Sequence, residues 1–122
     1  MSRILLVEDD LSASEVFRLC LEELGHEVAV CHDVPSAVAF IEGGEPVDIA
    51  FVDYWLVTET AEKVLKSLRE KRAGVPVVLI SGGSKTVSVE TTKWLGAIDG
   101  AQGFLQKPFS VREIQALIRR FE

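Results

Sequence analysis

Arg3-Ile4-Leu5-Leu6-Val7 runs straight into Glu8-Asp9-Asp10. The apolar run is too short for a helix and stops at charge, so it reads as a buried strand. Ser12 then precedes Glu15 by three residues, the spacing of a capping box. Ala13, Val16, Phe17, Cys20, Leu21 and Leu24 follow at helical spacing, and Gly25 stops the helix. The alternation continues outward. Glu27 to Cys31 reads as a second strand, and Pro35 suits the first turn of a helix striped by Val34, Ala37, Val38 and Ile41 and ended by Gly43-Gly44. Asp48 to Asp53 holds Ile-Ala-Phe-Val between two acids, a third strand. Residues 58–73 carry Ala61, Val64, Leu65 and Leu68 on one helical face. The basic residues Lys63, Lys66, Arg69, Lys71 and Arg72 read as its solvated face.

Val75 to Ile80 is a fourth strand, with Pro76 tolerated only at its start. Residues 84–97 are expected to form a helix, although Thr86, Val87, Val89, Thr91 and Thr92 are β-branched and lose rotamer freedom there. Gly103 to Lys107 is a short fifth strand. Ser110 and Glu113 form a second capping box, opening a helix with Val111, Ile114, Leu117, Ile118 and Phe121 inward. Five such β–α units give an α/β fold, a doubly wound parallel sheet covered on both faces. At 122 residues the chain is expected to be one domain, residues 1–122.

Composition narrows the function. The chain is 48% apolar and 26% charged, which excludes disorder. No apolar run approaches a membrane span, and Met1-Ser2-Arg3 does not open a signal peptide. A net charge of −6 argues against direct nucleic-acid binding. Cys20 and Cys31 make no disulfide framework, so a cytoplasmic protein is expected. His26 and His32 flank the second strand and are not expected to be catalytic, and Trp94 reads as packing or a partner surface.

In such sheets ligands sit beyond the carboxyl ends of the strands. There the first strand carries Glu8-Asp9-Asp10, the third Asp53, the fourth Ser81-Gly82-Gly83 and the fifth Lys107-Pro108-Phe109. If strands one and three are neighbours, the carboxylates converge. Two of them about 4 Å apart repel by roughly 4 kcal/mol at an effective dielectric near 20. Such a cluster calls for a proton or a cation, and hard oxygen ligands suit Mg²⁺. With the ammonium of Lys107 and the hydroxyl of Ser81, it describes a site for moving a phosphoryl group onto a carboxylate. Singly, Asp53 reads more readily as a cap or turn residue, Asp10 as a helix cap and Lys107 as a surface lysine. Their joint placement at one end of the sheet is what points to chemistry.

Four segments, Ile4 to Asp10, Val47 to Asp53, Val75 to Gly82 and Gly103-Phe104-Leu105-Gln106-Lys107-Pro108-Phe109, resemble in order the receiver domain of bacterial two-component response regulators. The resemblance covers essentially the whole chain, and Lys-Pro-Phe after Gly-Phe-Leu is its most specific part. It implies the flavodoxin-like (βα)5 fold with strand order 2-1-3-4-5. It also implies that Asp53 accepts the phosphoryl group and that Asp9 binds Mg²⁺ directly while Glu8 holds it through water. Asp53 and the main-chain carbonyl of Trp55 complete the implied metal set. Ser81 is implied to bind the phosphoryl oxygens, Lys107 to pair with Asp53, and Ser81 with Phe104 to act as the switch. The implied partner is a sensor histidine kinase or phosphotransfer protein, and a homodimer through the fourth and fifth helices is left open.

The chain departs from the pattern in places. Val57 stands where the family usually has proline, and the stretch from Ser81 to Lys107 is a few residues longer than is common. Trp55 is bulky for its place, and shielding of Asp53 by the ring predicts slow acyl-phosphate hydrolysis. Phe104 lacks a tyrosine's hydroxyl, so a switch there works by packing. A Mg²⁺-dependent phosphatase on the same fold is the second reading, but haloacid-dehalogenase-type enzymes want an Asp where Trp55 stands. A serine hydrolase built on Ser81 would need Gly in place of Leu79, and Gly82-Gly83-Ser84-Lys85 lacks phosphate-loop spacing. A receiver-like docking module that takes no phosphoryl group is the third; the set Asp9, Asp53, Ser81 and Lys107 argues against it. On the first reading the chain is a signalling module, not a turnover enzyme.

Overall fold

The computed structural model describes residues 2–57, 59–82 and 87–122. In chain order the elements are β1 (Arg3–Val7), α1 (Leu11–Glu23), β2 (Glu27–Cys31), α2 (Val34–Glu42), β3 (Ile49–Asp53), α3 (Glu62–Lys71), β4 (Val77–Ser81), α4 (Val89–Ile98), β5 (Gly103–Gln106) and α5 (Val111–Phe121). The strands form one parallel sheet in the order β2-β1-β3-β4-β5. The flavodoxin-like doubly wound fold and its strand order are as expected.

The period-two geometry of the strands divides the core in two. Leu5, Val7, Ala50, Val52 and Leu79 pack with Val34, Ala37 and Ile41 of α2 and Val64, Leu65 and Leu68 of α3. Ile4, Leu6, Ile49, Phe51, Val78 and Ile80 pack on the opposite face with Phe17 and Leu21 of α1 and Ile114 and Ile118 of α5. Each fully buried Leu, Ile or Phe contributes about 1.5–3 kcal/mol of apolar burial. Among the described residues, no helix is long and apolar enough to cross a membrane.

Side-chain caps set the starts of α1, α2, α4 and α5, while α3 starts at Ala61 without one. Asp10, not Ser12, caps α1, its carboxylate accepting from Ala13 N at 2.9 Å. The expected Ser12–Glu15 box is displaced because an acid two residues earlier reaches the free amides first. Glu15 instead pairs with Arg18. Asp33 caps α2, with Pro35 in its first turn, and Ser88 caps α4. The Ser110–Glu113 box of α5 is present in full. Gly25 closes α1 at φ 92°, a left-handed conformation that glycine adopts without steric cost.

Several expected boundaries and faces shift. α3 runs from Glu62 to Lys71, after the bridge at Thr60 and a turn at Ala61; of the expected 58–73 helix, residue 58 lies outside the described residues. α4 begins at Val89; of the expected 84–97 helix, residues 84–86 lie outside the described residues. Val111, expected to face inward, is 47% exposed, and Val16, on the helical stripe of α1, is 63% exposed. α1 rests on the sheet through Ser14, Phe17 and Leu21, which turns Val16 away from it. Arg72 leaves the solvated face of α3: its Nε donates to the carbonyl of Ile41 at 3.2 Å and so covers the open end of α2.

Candidate functional site

The parallel register brings the strand ends together. Val7 pairs with Val52 across β1 and β3, and Asp53 pairs with Ile80 across β3 and β4. Glu8 is therefore one residue beyond the end of β1 and beside Asp53. Ser81 is buried at the end of β4, next to Gln106 of β5, and its carbonyl accepts from Lys107 N at 3.1 Å. The Lys107–Pro108 peptide is cis.

Lys107 Nζ lies 2.8 Å from Glu8 Oε1 and 2.8 Å from Asp53 Oδ2, while the two carboxylates are only 4% and 7% exposed. Glu8, Asp9 and Asp53 each offer a ligand atom, all within 4.8 Å of one another. One ammonium does not neutralise this group. Burial and the neighbouring Asp53 carboxyl push the Glu8 carboxyl up to about 7, against the pull of Lys107. Burial disfavours the charged Lys107, but its hydrogen bonds to Asp53 and Glu8 outweigh that and hold it above the usual lysine value. Glu8 Oε2 is buried without a hydrogen-bond partner. A surplus of negative charge, a carboxylate oxygen left over and an all-oxygen donor set fit a hard divalent cation.

The loop between β3 and α3 holds the other side. Trp55 N donates to Asp53 Oδ1 at 3.0 Å, and Val57 N donates to Asp9 Oδ2 at 2.7 Å. Both acids are thus oriented by backbone amides of one loop. That loop is braced by a bridge between Trp55 and Thr60 and by Leu56 N to Glu59 O and Ala61 N to Tyr54 O. The Trp55 indole is committed elsewhere: its Nε1 donates to Thr92 Oγ1 of α4 at 3.0 Å, and the ring meets Tyr54 edge-on. Asp10, expected at this rim, serves as the α1 cap.

Phe104 is partly buried on β5, beside Leu79 and with Lys93 Nζ 6.0 Å from its ring centroid. It borders a cleft of about 340 Å³ between α4 and β5. His32 Nδ1 meets the Glu8 carbonyl at 3.0 Å, and His26 Nδ1 accepts from Ser2 N at 3.0 Å; both rings have backbone partners. A groove of about 600 Å³ separates α1 from α5, with Glu8 and Lys107 at one end and Val16, Phe17, Phe109 and Ile114 along its walls. Sequence reading missed two features here, Thr92 as the indole's acceptor and the amide of Val57 on Asp9. Neither carries a local signal, because each needs the fold to bring distant residues together.

Comparison with known proteins agrees with this architecture. The family model described as the response regulator receiver domain matches residues 4–119. The transcriptional regulatory protein CpxR of Klebsiella pneumoniae is 33% identical over 119 residues, covering 98% of this chain and 48% of that protein. The sensory transduction protein RegX3 of Mycolicibacterium smegmatis is 34% identical, covering 98% of this chain and 50% of that protein. The chain therefore spans about half the length of the curated relatives it matches. Among solved structures, the receiver domain of NtrX from Brucella abortus superposes with a TM-score of 0.83 at 28% identity, covering 96% of this chain and 95% of that one. A CheY-like receiver protein from Methanospirillum hungatei superposes at 0.86 with 25% identity, covering 98% and 92%. The chain belongs to the receiver domains of two-component response regulators.

Proposed function

We propose that Asp53 is the phosphoacceptor of this receiver and that the chain is a phosphorylation-driven signalling module rather than a turnover enzyme. The observation that carries this is Lys107 Nζ, placed 2.8 Å from both Glu8 Oε1 and Asp53 Oδ2 inside a buried acidic cluster. An Asp53 carboxylate oxygen attacks phosphorus. The new O–P bond forms as the P–N bond of a donor phosphohistidine, or the P–O bond of acetyl phosphate, breaks. The leaving imidazole or acetate takes the electron pair, and the imidazole takes up a proton from solvent.

Glu8, Asp9, Asp53 and the main-chain carbonyl of Trp55 are the groups that would hold Mg²⁺. When bound, it supplies positive charge against the acids and the phosphoryl oxygens. Lys107 pairs with Asp53 and then with the phosphoryl group. Ser81, at the end of the neighbouring strand, supplies the hydroxyl toward the phosphoryl oxygens, and Phe104 responds by repacking. A new group of charge about −1.5 to −2 is enough to bias a two-state surface. The donor is a sensor histidine kinase or phosphotransfer protein in the cytoplasm. The apolar groove between α1 and α5 is the fitting seat for a donor helix, since it opens onto Glu8 and Lys107.

The test is incubation with Mg²⁺ and acetyl phosphate or phosphoramidate, read by intact mass, with Asp53→Asn as control. A single phosphoryl adduct lost in the variant is expected. Continuous phosphate release at enzyme-like rates would favour the phosphatase reading. Absence of both adduct and Mg²⁺ binding would favour a docking module.

A further inference from the structure

The Trp55 indole has no part in the chemistry proposed above, yet it is anchored with care. Thr92 is fully buried, and its hydroxyl is used twice: it accepts from Trp55 Nε1 at 3.0 Å and donates to the Ser88 carbonyl at 2.9 Å. Beyond Thr92, α4 is held by Gly96 and by Leu95, which is partly buried against the core. Its buried residues are Thr92 and Gly96, while Trp94 and Ile98 are 71% and 69% exposed. Gly96 lies flat against Leu79, where an added Cβ would fall 2.3 Å from Leu79 Cδ2. α4 therefore rests on β4 with Leu95 partly buried and no large apolar side chain fully buried. Its polar tie to Trp55 is a correspondingly large share of what fixes its position.

The other end of that tie is Asp53. The Trp55 amide donates to Asp53 Oδ1, and two residues on, the Val57 amide donates to Asp9 Oδ2. The bridge between Trp55 and Thr60 ties the Trp55 backbone to the chain just ahead of α3. The amide and the indole belong to one residue, so a displacement of the amide reaches the indole through that residue's own side-chain bonds.

We propose that Thr92 is a positioning residue for the phosphoacceptor loop, and that its hydrogen bond to Trp55 is the link through which the state of Asp53 sets the position of α4. Acylation removes the carboxylate charge that the Trp55 amide faces and adds a larger group beside it, so the loop resettles and draws on Thr92. The link is reciprocal: a partner that holds α4 alters how the loop presents Asp53. This inference rests on Asp53 being the phosphoacceptor.

The experiment uses the isotopically labelled chain carrying Trp94→Phe, which leaves one indole signal. Thr92→Val keeps the shape and removes the acceptor, Thr92→Ser keeps the hydroxyl, and Trp55→Phe removes the donor. Indole and Trp55 amide exchange with solvent are expected to be about five- to tenfold faster in Thr92→Val and restored in Thr92→Ser. On phosphorylation, the amide resonances of Val89 to Ile98 shift in the wild type. Per mole of adduct formed, the shift is expected to fall by about half or more in Thr92→Val and in Trp55→Phe, and in Thr92→Val the adduct still forms. Thr92→Val is expected to add nothing in a Trp55→Phe background. An adduct on the wild type with an undiminished α4 response in both variants overturns this inference alone. A wild-type chain that takes no adduct overturns the phosphoacceptor reading and this inference with it.

Discussion

Replacing Glu8 by Gln tests the electrostatics of the acidic cluster directly. In the folded chain the Glu8 carboxyl is raised from 4.5 to about 7, chiefly by burial and then by Asp53. Between those values the folded state holds a proton that the unfolded state has released, so stability falls as pH rises through this window. The penalty is absent below about pH 4.5 and complete above about pH 7. A displacement of that size corresponds to roughly 3 kcal/mol at most. Gln keeps the shape and an acceptor for Lys107 Nζ but cannot ionise. In the presence of a chelator, the variant is expected to match the wild type near pH 4.5 and to exceed it by about 1–3 kcal/mol at pH 8. Added Mg²⁺ should reverse the order at pH 8, because a ligand that binds only the folded wild type stabilises it by mass action. Urea titrations at pH 5, 6, 7 and 8, with and without Mg²⁺, read both effects. Parallel stability profiles for the two proteins across that range would refute the reasoning, since they would mean that Glu8 ionises no differently in the folded and unfolded chains.

Lys107→Met removes the cation shared by Glu8 and Asp53 and is expected to cost about 2–4 kcal/mol at pH 8, with a smaller loss at pH 5, where Glu8 takes a proton; denaturant titration at the two pH values checks it. Asp10→Ala deletes the α1 cap and should cost about 1 kcal/mol, whereas Ser12→Ala should be nearly silent, a contrast readable as thermal midpoints. Gly96→Ala would gain about 1 kcal/mol of helix propensity but presses a methyl into Leu79, which is 1% exposed, and overpacking of about 1–3 kcal/mol is expected to leave a net loss of about 1 kcal/mol by chemical denaturation.

Strands were legible because each is a near-continuous apolar run ending in a charge or glycine, and a parallel sheet buried on both faces demands that pattern. The same logic placed Glu8, Asp53, Ser81 and Lys107 at one edge before any geometry was known. Helix faces were harder to read. Ala13, Val16 and Cys20 have good helical spacing, yet they border the groove beside α5 while Ser14 and Phe17 meet the sheet; a broad apolar stripe does not say which of its sides is covered. The first cap was left with two candidates, because Asp10 and Ser12 both qualify locally; backbone entry from β1 decides for Asp10. Arg72 looked solvated because its partner is a carbonyl, that of Ile41, which carries no side-chain signature. Thr92 was invisible for a similar reason. A threonine in a β-branched stretch suggests a weak helix, and its partner lies 37 residues away.

The two ends of the sheet differ in compliance. On one flank, Val34, Ala37 and Ile41 interlock with Val64, Leu65 and Leu68, and Arg72 straps the pair together. On the other, α4 buries a glycine and a threonine and only partly covers Leu95. On the proposed Thr92–Trp55 link, work done at the central acids would be expressed at the softer flank. The packing of α2 and α3 acts as ballast, and by refusing to move it lends direction to a message that begins with no direction of its own.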